Sequence, residues 1–225
     1  MSNQISNHIL EIRFKPNSRF LDNRGAIAAQ IAGGKFNHWN ISSNRIDFAS
    51  SESSELSAFF SFRNLGITSQ APASMEDFLK TTDDYIKSAW QHIEGNNVIR
   101  LGVRSSILVE TKDFAKTFEA YKDKFLKLSG DDLAIFGGEL VDVAFPLNFV
   151  DGDNFFNVTT GPMEDKQSKG IFGEEAFPSG IYLEVDYFTK EVSPHIIHKH
   201  IMKFVNNGTK KAEKLASEIN KWINS

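Results

Sequence analysis

The chain has 225 residues, a formal net charge of −4 and a pI near 5.9, with 40% apolar residues, 20 Phe and no cysteine. The missing cysteines exclude disulfide scaffolds, thiolate zinc sites and cysteine nucleophiles, and the scattered charges give no broad footprint for nucleic acid. No signal-peptide pattern opens the chain and no apolar run approaches the roughly 20 residues of a membrane-spanning helix, so the expectation is a cytoplasmic protein without a membrane partner.

In chain order, Ile9 to Phe14 alternates as a strand and Pro16 stops it. Phe20, Ile27 and Ile31 then fall at helical spacing up to Gly33-Gly34. His38 to Ala49 reads as one strand with a kink or turn at Ser42-Ser43-Asn44, and Ala58 to Thr68 as another, rich in Phe. Ser74 and Asp77 mark a capped helix start, and Phe78, Ile86, Trp90 and Ile93 give an amphipathic stripe.

Val98 to Glu110 is a strong strand, followed by a helix from Asp113 to Leu128 with Phe114, Phe118, Tyr121 and Phe125 on its buried face. Val141–Phe149, Asn154–Thr159 and Gly180–Phe188 read as strands, with Asp151-Gly152-Asp153 as a hairpin turn. The polar stretch 161–179 reads as a long, mobile loop. Ser193-Pro194 opens a final helix whose stripe of Ile201, Phe204, Ala212, Leu215, Ile219 and Trp222 runs through Gly208.

The order of elements suggests an α+β fold: an antiparallel sheet with packed helices, built as a tandem duplication of a β-α-β-β-α unit. The whole of 1–225 is expected to be a single domain of two similar halves, about 9–94 and 98–223.

The chemistry-bearing residues are few. Arg100 and Arg104 share one face of a strand, with Arg63 expected on a neighbouring one, so the three arginines are candidate ligands for phosphate or carboxylate. Pairing with Glu110, Glu184 or Asp186 across a solvated sheet face is the plainer reading and is favoured. His195 and His198 stand at i and i+3 and could face one metal ion, but no third ligand is evident and no metal site or cofactor is expected. No phosphate-binding glycine loop or Gly-x-Ser-x-Gly elbow is present. Glu184 and Asp186 share a strand face but lack the partners a nuclease site requires, so no catalytic residue is assigned.

Arg100-Leu101-Gly102-Val103-Arg104, opening a strand after a long helix, resembles the Arg-x-Gly-x-Arg-Tyr signature of a sporadically distributed prokaryotic family of unknown function. Ile12-Arg13-Phe14-Lys15-Pro16 echoes the family's first strand, while Ser105 stands where the family has Tyr. The family has no settled activity to carry over. Its patchy distribution implies a setting such as a phage-defence or toxin–antitoxin operon.

The first functional expectation is therefore a non-enzymatic interaction or regulatory protein with a protein partner. The first alternative is a binder of a small apolar or anionic ligand held between the sheet and the C-terminal helix. The second alternative is an enzyme with an unrecognised site.

Overall fold

The computed structural model describes residues 3–51, 55–93, 95–126, 133, 135–190, 192 and 198–223. Its frame is one antiparallel sheet of nine strands: β1 (Gln4–Phe14), β2 (His38–Ile41), β3 (Arg45–Ala49), β4 (Leu56–Ser61), β5 (Asn64–Gln70), β6 (Val98–Glu110), β7 (Phe145–Asp151), β8 (Asn154–Glu164) and β9 (Ser179–Lys190). Their order across the sheet is β2-β3-β4-β5-β1-β6-β9-β8-β7. Among the described residues five helices pack on it: α1 (Arg19–Ile31), α2 (Met75–Trp90), α3 (Phe114–Phe125), α4 (Asp165–Phe172) and α5 (His198–Ile223). None of the described helices is long and apolar enough to cross a membrane.

The expected α+β class holds, and the order of elements explains how two halves share one sheet. Outward from the central β1–β6 pair the strands run β1-β5-β4-β3 on one side and β6-β9-β8-β7 on the other. Among the described elements a plain β-α-β-β-α unit is not repeated: four strands, β2 to β5, separate α1 from α2, and three strands, β7 to β9, with α4 inserted between β8 and β9, separate α3 from α5.

Strand alternation divides the side chains between two faces. On β1, Leu10, Ile12 and Phe14 are buried with His8 on the helix-covered face, while Glu11 and Arg13 emerge on the other. Ile67, Phe60 and Phe48 continue the apolar layer into the first half, and Val103, Val185 and Val158 into the second. α5 crosses β6 and β9 on that layer and places its small residues Gly208, Ala212 and Ala216 where the helix comes nearest the sheet. Among the described residues the second face is covered at one end, where α4 sets Phe172 against Leu108, Met163 and Tyr182.

Four local expectations need correction. The expected strand 58–68 is two strands joined by a tight Phe62–Arg63 turn, closed by the Ser61 hydroxyl accepting from the backbone N–H of Arg63 and Asn64. The span 38–49 is likewise the hairpin β2–β3. The strand expected from Val141 begins at Phe145.

The stretch 161–179 is not a long loop. β8 runs on to Glu164, where a reciprocal cap between Glu164 and Gln167 starts α4. The buried Ser168 hydroxyl then ties that helix to the Phe177 carbonyl.

Candidate functional site

The expected arginine site lies on the open face of the sheet. One row of cross-strand neighbours runs Phe59, Gly66, Glu11, Gly102, Phe188 and Phe155. Arg100 Nη2 donates to both carboxylate oxygens of Asp186 at 2.9 Å, and its guanidinium carbon stands 4.6 Å from the centroid of the Phe188 ring. Arg104 approaches Glu184 at 3.9 Å and Asp186 at 3.8 Å.

Burial pushes the Glu11 carboxyl up, but hydrogen bonds from Arg13 and Asn64 and the charges of Arg13 and Arg100 outweigh it and hold the group below its ordinary value. Tyr182 is raised by burial to about 12 and donates to Glu184 at 2.9 Å. The arginine charges are thus balanced within the sheet, as the plainer reading expected. The pairing partners are Asp186 and Glu184, whereas Glu110 accepts from Asn3. Arg63 is not part of the row: it sits in the β4–β5 turn, its guanidinium 4.4 Å from the centre of the Phe62 ring.

Of the histidine pair, His195 lies outside the described residues. His198 stands at the start of α5 with Nε2 2.8 Å from Asp83 Oδ1 on α2. Among the described residues no three or more His, Asp or Glu side chains converge as metal ligands would. His8, which the sequence reading did not single out, is fully buried between Phe78 and two hydroxyls, Ser105 Oγ at 2.9 Å and Ser6 Oγ at 3.1 Å. Burial lowers its pKa to about 4, so near neutral pH the ring is uncharged.

A different place has the form of a ligand site. At the far end of the helix-covered face, the C-terminal turns of α3 and α5 stand apart over β7, β8 and β9 and leave a cleft of about 410 Å³. Leu147, Phe149, Phe156, Val158 and Leu183 form its floor. Leu215, Ile219 and Trp222 of α5 and Phe125 of α3 form its walls. The side chains that bring polar atoms other than the Trp222 indole are Thr160 within and Lys124 and Glu218 at the rim.

Phe149 and Phe156 stack at 4.6 Å in the floor, and Phe125 meets Trp222 edge-on at 5.7 Å in the wall, so packed rings line both. Behind the wall, Tyr121 packs on Phe125, Phe145 and Trp222. The sequence carried part of this site as the stripe Leu215, Ile219 and Trp222. It gave no sign that α3 ends three turns along and leaves that stripe half uncovered.

A second hollow of about 460 Å³ lies at the β2–β4 edge of the open face, among Trp39, Arg45, Asp47, Phe59 and Thr68. Its charges are mutually satisfied: Arg45 pairs with Asp47 and covers the Phe59 ring at 4.1 Å.

No protein-family model matches the chain, and no curated protein is significantly similar to it.

Proposed function

We propose that this protein binds a small, largely apolar molecule in the cleft between α3, α5 and strands β7–β9. The observation that carries the reading is the cleft itself: a ring-walled hollow of about 410 Å³, within the range typical of small-molecule sites, with few polar groups to set orientation. Phe125, Leu147 and Phe149 are each more than two-fifths exposed there, apolar surface that a ligand would remove from water. The test is titration with N-phenyl-1-naphthylamine, an uncharged dye that brightens in apolar surroundings. Saturable 1:1 binding, lost in Leu147→Arg and Leu215→Trp, is expected. Binding that never saturates, or that both variants leave unchanged, would overturn the reading.

A second reading, a regulatory protein acting through a protein partner, has its own support. Ile135, Phe136 and Val141 are 80%, 75% and 71% exposed in the segment leading to β7, more apolar surface than a short connection ordinarily shows water. Isolation from the host with a partner attached, lost in Ile135→Asp/Phe136→Asp, would favour it. Membership of the Arg-x-Gly-x-Arg-Tyr family, and with it a defence-operon setting, is proposed on the Arg100–Arg104 and Ile12–Pro16 segments and adds no chemistry to either reading.

A further inference from the structure

We infer that the ligand of the cleft carries a carboxylate, which pairs with Lys124 at the rim while its hydrocarbon body lies along Phe156, Leu215 and Ile219. The inference rests on the small-molecule reading above and is drawn from the balance of charge around the opening. Glu218 is neutralised by Lys221 at 2.7 Å. On the β8 side Lys211 is neutralised by Asp151 at 2.6 Å, its ammonium 3.8 Å from the centre of the Phe156 ring.

Lys124 is different: among the described residues its ammonium has no carboxylate partner within ion-pair distance. It is held instead 4.8 Å from the centre of the Trp222 ring, where the ring's electron-rich face keeps a cation in place over the wall of the cleft. Among the described residues the rim therefore presents one uncompensated positive charge beside an apolar interior. A carboxylate on a hydrocarbon chain satisfies both at once. An alcohol of the same chain leaves the charge unanswered, and a quaternary ammonium opposes it. The chemistry is that of a free medium-chain fatty acid rather than a lipid bilayer, because the cleft is a bounded hollow.

Calorimetric titration of the full chain with decanoate, decanol and decyltrimethylammonium separates these cases. Decanoate is expected to bind about two- to fivefold more tightly than decanol, the range of a partly screened ion pair. Lys124→Glu should abolish that preference and Lys124→Gln should reduce it, each read as the ratio of decanoate to decanol affinity in the same protein. Equal affinity of the acid and the alcohol, or a preference for decanoate untouched by Lys124→Glu, would overturn the carboxylate assignment while leaving the cleft as a site for apolar molecules. Failure of all three compounds and of the naphthylamine dye would remove the cleft reading itself. Tight binding to phosphatidylglycerol vesicles with none to free decanoate would overturn the assignment in favour of a lipid surface.

Discussion

The guanidinium of Arg100 lies flat across Gly102: a Cβ placed on Gly102 would stand 2.6 Å from Arg100 Nη1 and 3.0 Å from Cζ. The glycine leaves the strand surface bare, and the arginine uses that surface to reach Asp186 and the Phe188 ring on the next strand. Across β1 the arrangement has a counterpart, with the Phe59 ring lying over Gly66 and Glu11 standing between the two glycines. The Arg-x-Gly-x-Arg pattern thus has a structural cause in this chain that needs no ligand.

Gly102→Ala should displace that guanidinium. A long side chain swings aside at little steric cost, so the loss is that of its charged hydrogen bonds, about 1–3 kcal/mol. The substitution should cost much less when Arg100 is already alanine. Urea unfolding of the four proteins of this double-mutant cycle measures the difference. Equal costs in both backgrounds would show that Gly102 serves something other than Arg100.

How far the sequence spoke for the structure is visible at these residues. Alternation along β1 and β6 was readable, because burial on one face imposes period two. The pairing of Arg100 with Asp186 was among the partners anticipated, because the two strands were expected to share a sheet. A ligand site between the sheet and the C-terminal helix was among the alternatives, but the form of the cleft was not legible, since it arises from where α3 stops relative to the end of α5, a relation of lengths between elements far apart in the chain. α4 was missed for a local reason: eight residues, polar and interrupted by Gly170, give too few turns for a periodic signal. The Glu164–Gln167 capping pair was the clue available there.

Acid should destabilise the fold through His8. Its folded pKa is lowered by burial to about 4 from 6.5. The unfolded chain therefore takes up a proton that the folded chain refuses as pH falls from about 6.5 to 4. Stability should be level above that window and decline within it, by up to about 1.4 kcal/mol per pH unit at the steepest. Glu11, held below its ordinary value of 4.5, contributes stability that is full above that value and is lost as pH falls through it, so it adds to the decline at the acid end of the window. Unfolding free energies from pH 8 to pH 4 should show the first decline in the native protein and a weaker one in His8→Gln. An identical slope in both would remove His8 as the cause.

Tyr121 makes the opposite kind of prediction. Its hydroxyl is buried beside that of Thr160, and neither completes a hydrogen bond of normal geometry among the described residues. Burial raises the phenol's pKa, with Thr160 pulling against it. The ring, by contrast, is fully used against Phe125, Phe145 and Trp222. Tyr121→Phe should leave thermal stability unchanged or raise it by up to about 1 kcal/mol, because a buried hydroxyl without a partner costs its own desolvation. A clear loss of stability would mean that the hydroxyl is satisfied after all.

Gly208 poses the sharpest conflict between local and tertiary preference. It lies inside a 26-residue helix, where replacing glycine by alanine ordinarily gains about 1 kcal/mol. Here a Cβ would come 2.3 Å from Val103 Cγ1 and 2.9 Å from Tyr187 Cδ1, both on side chains packed in the core under α5. Neither neighbour can swing into solvent as Arg100 can, so the helix would have to lift from the sheet or the core would have to shift. Overpacking of this kind costs about 1–3 kcal/mol, which exceeds the propensity gain. Gly208→Ala should therefore lower the denaturation midpoint. Val103→Ala, itself destabilising because it opens space in the core, should make the second substitution less costly than it is alone. The sign of the coupling decides the matter: a Gly208→Ala protein more stable than the parent would mean that α5 rides higher over β6 and β9 than the structure places it.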